Sequence, residues 1–123
     1  MRVHDGDQLR VGQSLVAYEL APSDPQSGRH GRLLLHVPPD GAVTVVPLGE
    51  AGVLIGRELG DVTLDGDTFV SSSHCRIGCD RDGVYVEDLG SSNGTYLRLR
   101  SGASVELGQS LLVGQTQFVL RPR

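Results

Sequence analysis

Apolar and polar residues alternate along this chain in short runs, and no segment sustains a helical period. Residues 32–37, Arg-Leu-Leu-Leu-His-Val, read as a strand. Pro38-Pro39-Asp40-Gly41 is a strong turn signal. Residues 42–48 read as the partner strand, and Pro47 marks an edge or a strand end because it has no N–H to donate. Residues 53–55, Val-Leu-Ile, form a short buried strand that delivers Gly56-Arg57 at its exit. Residues 61–64 follow a turn at Gly60. Residues 74–79 alternate and pair with residues 84–89 across Asp80-Arg81-Asp82-Gly83, whose Asp-Gly pair favours a hairpin. Further strands are expected at 95–97, 104–107, 110–113 and 116–120. Short strands separated by turn signals every few residues predict an all-β chain, an antiparallel β-sandwich.

The organisation divides into three parts. Residues 32–123 form the main domain. Residues 21–31, Ala-Pro-Ser-Asp-Pro-Gln-Ser-Gly-Arg-His-Gly, are a linker by composition. Within residues 1–20, the run from Asp5 to Leu20 echoes the C-terminus, where the run from Leu107 to Leu120 has a similar strand–Gly–strand layout. Two origins account for the echo. The segment is either the closing hairpin of a second, truncated copy of the same domain, or an N-terminal hairpin that packs on this one.

With 123 residues the chain suits one domain and one core. A net charge of −4 argues against nucleic acid as the partner. All 11 basic residues are Arg, the better side chain for bidentate phosphate contacts. No run approaches the ~20 apolar residues of a membrane span, and the N-terminus lacks the apolar stretch of a signal peptide. The expected compartment is the cytoplasm, without membrane attachment. Cys75 and Cys79 would share a strand face about 13 Å apart, too far for a disulfide. They read as small core residues, and two cysteines beside His74 do not make a four-ligand metal set.

Three fragments carry the chemistry: Gly56-Arg57, Ser71-Ser72-Ser73-His74 and Ser91-Ser92-Asn93-Gly94-Thr95. All fall between strand-like runs. Together they offer a guanidinium, several hydroxyls, an amide and turn N–H groups, a donor set suited to phosphate. No general base or nucleophile elbow accompanies them. Ser73 and His74 point to opposite faces of a strand and do not form a catalytic pair. His74 is expected to bond neighbouring backbone, and Asp88 to hold the loop after it. Asn93-Gly94 is a preferred turn dipeptide that would also present the Asn side chain. Asp61, Asp65, Asp67, Asp80 and Asp82 read mostly as solvated turn charges. Asp65-Gly66-Asp67 is too short a fragment for a calcium loop.

The order Gly-Arg, Ser-x-x-His, then Asp88-Leu89-Gly90-Ser91-Ser92-Asn93-Gly94-Thr95, closed by a Leu-Gly-Gln-Ser…Val-Gly hairpin, resembles the forkhead-associated (FHA) domain over about residues 29–123. The resemblance implies a β-sandwich of about eleven strands with ligand loops at one end. It implies recognition of phosphothreonine in a partner protein, in kinase-dependent signalling or assembly, with no catalysis, cofactor or metal. Position by position, it places Arg57 on the phosphate, with Ser71 and Ser92 as hydroxyl donors. It places Asn93 on the ligand backbone, and Gly56, His74 and Gly94 in shaping the loops. Ser72 stands where the family usually carries Arg, Lys or Asn, so this phosphate contact is shorter and uncharged. That departure supports the alternative: a degenerate FHA scaffold that assembles with proteins independently of phosphorylation. The first 31 residues contain no Thr, so this tail is not a phosphothreonine ligand for its own domain.

Overall fold

The computed structural model describes residues 1–20, 25, 27–38 and 42–98, and the strands 110–113 and 116–119. Among these residues the chain is all β. One sheet runs in the order β1 (Arg2–Val3), β9 (Gly83–Asp88), β8 (Cys75–Asp80), β6 (Val53–Gly56), β7 (Val62–Thr63). The other runs β10 (Thr95–Leu97), β2 (Gln8–Val11), β3 (Ser14–Glu19), β4 (Arg32–Val37), β5 (Ala42–Pro47). A separate hairpin joins β11 (Ser110–Val113) to β12 (Thr116–Val119). All pairings are antiparallel except β6 with β7.

Period-two alternation explains the layers. Leu9 and Val11, Val16 and Tyr18, and Leu33 and Leu35 point inward from the second sheet. Val3, Val53, Ile55, Cys75, Ile77, Val84 and Val86 meet them from the first. Each such side chain contributes roughly 1.5–3 kcal/mol of transfer free energy when fully buried. Pro47 ends β5, the edge strand of its sheet, where its missing N–H costs no ladder bond. The strand expected at 104–107 and the centre of the turn at 39–41 lie outside the described residues.

The N-terminal hairpin is stitched into both sheets. Val3 pairs with Val84, Leu9 with Leu97, and Leu15 with His36. Its side chains Leu9, Val11, Val16 and Tyr18 belong to the same core cluster as Val53, Ile55 and Ile77. No break in strand pairing therefore separates residues 1–20 from the sandwich.

Asn93-Gly94 lies in a crossover, because β9 and β10 belong to different sheets. Of the pair, Gly94 alone has positive φ, at +80°. Several acidic residues are structural rather than merely solvated. Asp67 is 2% exposed, Asp61 accepts the Leu54 N–H at 2.8 Å, and Asp80 pairs with Arg2 at 2.7 Å.

Candidate functional site

Register brings the three fragments together. Ile55 pairs with Cys75, and Cys75 with Asp88. The exit of β6, the entry of β8 and the exit of β9 thus lie side by side at one end of the first sheet. The segments 57–61, 64–74 and 89–94 all emerge there.

Backbone contacts set the first two segments against each other. The Arg57 N–H donates to the Ser71 carbonyl at 2.9 Å, and the Leu59 N–H donates to the Ser72 carbonyl at 3.0 Å. Gly56 allows this approach: a Cβ there would lie 2.1 Å from the Ser72 oxygen and 2.2 Å from the Leu59 oxygen. The Arg57 side chain is 36% exposed, and among the described residues its guanidinium has one nearby carboxylate, Glu58, at 3.7 Å.

His74 is fully buried and ties the second segment to the third. Its Nδ1 accepts the Ser71 N–H at 3.0 Å. Its Nε2 lies 2.8 Å from the Gly94 carbonyl, which can only accept, so Nε2 carries the proton. Both ring nitrogens are therefore engaged by backbone. His74 also donates its own N–H to Ile55 and accepts the Leu89 N–H, each at 2.9 Å. The imidazole is a brace between loops.

Asp88 organises the third segment. It accepts the N–H groups of Gly90 at 3.1 Å and Ser91 at 3.0 Å, and the hydroxyls of Ser91 at 2.5 Å and Thr95 at 2.8 Å. Partial burial alone would raise its pKa. The hydrogen bonds from Ser91 and Thr95 outweigh that and hold it below the ordinary value. Ser91 Oγ in turn accepts the Gly94 N–H at 2.9 Å.

Ser71 is the meeting point. Its carbonyl takes Arg57, its N–H goes to His74, and its Oγ accepts the Ser92 N–H at 3.0 Å. Its hydroxyl hydrogen remains available to an external acceptor. The hydroxyls of Ser72 and Ser92 make no hydrogen bond among the described residues. Asn93 behaves differently: its Nδ2 donates to the Phe69 carbonyl at 2.9 Å, so its amide braces the second segment. Its Oδ1 makes no hydrogen bond among the described residues.

Sequence reasoning missed Asp67. Its carboxylate accepts the Gln13 N–H at 2.7 Å, the Ser14 hydroxyl at 2.8 Å and the Phe69 N–H at 3.0 Å. It anchors the segment that carries Ser71 onto the turn between β2 and β3. The bond to Phe69 is an Asx turn legible from local spacing, but the other two partners are more than fifty positions away.

Cys75 is buried and free, and desolvation pushes its thiol up to about 12. Cys79 is free and half-buried. Among the described residues, no group of three or more His, Cys, Asp or Glu could hold a metal ion. No helix among them is long and apolar enough to cross a membrane.

Comparison with known proteins agrees with this architecture. Residues 53–113 match the FHA domain family. The chain is 38% identical over 84 residues to the FHA domain-containing protein FhaB of Mycolicibacterium smegmatis, covering 66% of this chain and 54% of that protein. It is 38% identical over 88 residues to FhaB of Mycobacterium tuberculosis, covering 68% and 57%. It is 30% identical over 117 residues to Protein FraH of Nostoc sp., covering 81% and 40%. The chain thus spans about half the length, or less, of these curated relatives. No solved structure matches it significantly. The FHA domain is a phosphopeptide-binding, protein-interaction module. Two five-stranded sheets, three loops converging on Ser71 and the match over 53–113 identify the chain as a member of the forkhead-associated domain family.

Proposed function

We propose that this chain binds a phosphothreonine segment of a partner protein, in kinase-dependent signalling or assembly within the cytoplasm. One observation carries the reading. Arg57, Ser71 and Ser92 are joined by direct hydrogen bonds of 2.9 and 3.0 Å across three separate segments. Arg57 supplies the charge-assisted contact to a phosphate carrying about −1.5 to −2 charge. Ser71, Ser72 and Ser92 add neutral hydroxyl donors. Asn93 contributes its free Oδ1 to the ligand backbone while its amide holds Phe69. Gly56, His74 and Gly94 shape the loops, and no cofactor or metal takes part.

Each hydrogen bond to the charged phosphate contributes roughly 1.5–3 kcal/mol. Two or three of them, less the cost of ordering the peptide, suit an affinity around micromolar, about −8 kcal/mol. Titration with a degenerate phosphothreonine peptide library, beside phosphoserine and unphosphorylated versions, tests the reading. Saturable binding to the phosphothreonine set alone is expected.

The second reading is the degenerate scaffold, with protein assembly independent of phosphate. Ser72 favours it, because a short hydroxyl neither carries charge nor reaches as far as Arg or Lys. Equal binding of a partner before and after phosphatase treatment would establish it.

A further inference from the structure

We propose that the slot between β10 and β4 has two interchangeable occupants in this one chain: the hairpin β2–β3 that fills it here, and the C-terminal hairpin β11–β12.

The two hairpins have the same register. Gln8 pairs with Ala17, Leu9 with Val16, Arg10 with Leu15 and Val11 with Ser14. Ser110 pairs with Val119, Leu111 with Phe118, Leu112 with Gln117 and Val113 with Thr116. Adding 102 to each number of the first set gives the second. The two residues between the paired strands are Gly-Gln in both hairpins, Gly12-Gln13 and Gly114-Gln115. β2–β3 is paired on both sides, to β10 and to β4, whereas among the described residues β11 and β12 pair only with each other.

The slot makes three demands, and both sequences meet them. It buries Leu9, Val11, Val16 and Tyr18, and the corresponding positions hold Leu111, Val113, Phe118 and Leu120. It requires a residue without a side chain at the turn: a Cβ on Gly12 would lie 2.7 Å from Val70 Cγ2 and 2.8 Å from Asp67 Oδ2, and φ is +61°. Gly114 corresponds. It requires a hydroxyl opposite the buried Asp67 carboxylate, supplied by Ser14 at 2.8 Å. Thr116 corresponds. The glycine and the hydroxyl answer specific features of the slot.

Polar contacts explain why β2–β3 holds the slot here. Tyr18 donates to the His30 carbonyl at 2.6 Å, Glu19 pairs with Arg32 at 3.6 Å, and Arg98 donates to Gln8 at 3.1 Å. At the corresponding positions Leu120 has no hydroxyl, Arg121 carries the same charge as Arg32, and Ser110 is shorter than Gln8. The exchange stays within one chain. β11 would pair antiparallel with β10, the strand that precedes it, and residues 98–109 between them can span roughly 40 Å. A tethered occupant also has the advantage of effective concentration over a second copy. Because the turn of the occupant grips Asp67, whichever hairpin is seated also holds the segment carrying Ser71.

Cysteine trapping in the full chain tests the exchange. Leu15 and His36 are cross-strand partners, so Leu15→Cys with His36→Cys reports seating of β2–β3. Gln117→Cys with His36→Cys reports seating of β11–β12. Single-cysteine variants control for Cys75 and Cys79. Adding Gly12→Val evicts the first hairpin. The 36–117 disulfide should then rise at least tenfold, run as a monomer on a non-reducing gel, and accompany a retained cooperative thermal transition. Gly114→Val alone should leave that transition in place, and with Gly12→Val it should abolish it. Four results overturn the proposal: a folded Gly12→Val chain without the 36–117 link, an unfolded Gly12→Val chain, a link found only between two chains, or a double variant indistinguishable from Gly12→Val. Each readout is independent of phosphopeptide binding.

Discussion

The backbone N–H of Ser92 donates to Oγ of Ser71 across 3.0 Å, joining two segments twenty-one positions apart. The bond uses a lone pair of the hydroxyl and leaves its hydrogen to donate outward. Ser71 is thereby both a strut of the loop end and a ready donor.

Replacing Ser71 with Ala removes both roles. One donor to a charged group is lost, roughly 1.5–3 kcal/mol, so phosphopeptide affinity should fall about ten- to a hundredfold. Stability should change by no more than about 1 kcal/mol, because the bond is exposed. Calorimetric titration and thermal melting measure the two effects separately. Equal affinity for wild type and Ser71→Ala would remove Ser71 from the phosphate site.

Arg57→Ala should abolish most binding and leave the melting temperature nearly unchanged, since the side chain's sole ion pair among the described residues is the 3.7 Å contact with exposed Glu58. Arg57→Lys should recover only part of the affinity, because an ammonium cannot form the bidentate fork. Wild-type binding should weaken as pH drops through about 6, where the phosphate gains a proton. Titrations between pH 7.5 and 5.5 check this, and a flat profile would count against a dianion-reading site.

Gly56→Ala places a methyl group 2.1 Å and 2.2 Å from two carbonyl oxygens of the backbone. Neither can yield as a flexible side chain would. We expect a loss of about 2 kcal/mol or more in chemical denaturation, by overpacking. Binding should fall with it, because the displaced strand exit carries Arg57.

Asp88 gives a prediction at low pH. Its folded pKa lies below the ordinary 3.8. The contribution of its carboxylate is therefore complete above about pH 4 and is lost as pH falls through the folded value. Asp80, depressed by its hydrogen bond from Arg2, titrates in the same window. Asp88→Asn should lower stability at pH 7 and flatten the acid limb below pH 4, leaving the part due to Asp80. Unfolding curves from pH 2.5 to 7 for both proteins decide it; parallel curves would show that Asp88 does not contribute to acid sensitivity.

The fold was legible because its signals are local. Alternation along 32–37 and 74–79, the Asp82-Gly83 turn and the proline at 47 each act over a few residues, and the expected strands that fall on described residues lie within a residue or two of their expected places. The three site fragments were legible for a related reason: glycine, hydroxyl and amide residues cluster where strands end. Asp67 was not. Its sequence neighbours are those of a solvated turn, and its burial comes from Gln13 and Ser14 in a distant hairpin. The Asn93-Gly94 dipeptide specifies a turn but not which sheets the turn joins.

The sequence by itself determined the strand periodicity, the glycine turns and the residue types that converge on Ser71, because backbone preference and alternation operate between near neighbours. It also held two copies of one hairpin pattern, alike in alternation and in the Gly-Gln between their strands. Tertiary structure alone decided which copy fills the slot. That choice depends on the Tyr18 hydroxyl reaching His30, Glu19 meeting Arg32 and Arg98 meeting Gln8, contacts that exist only once strands distant in the chain lie side by side.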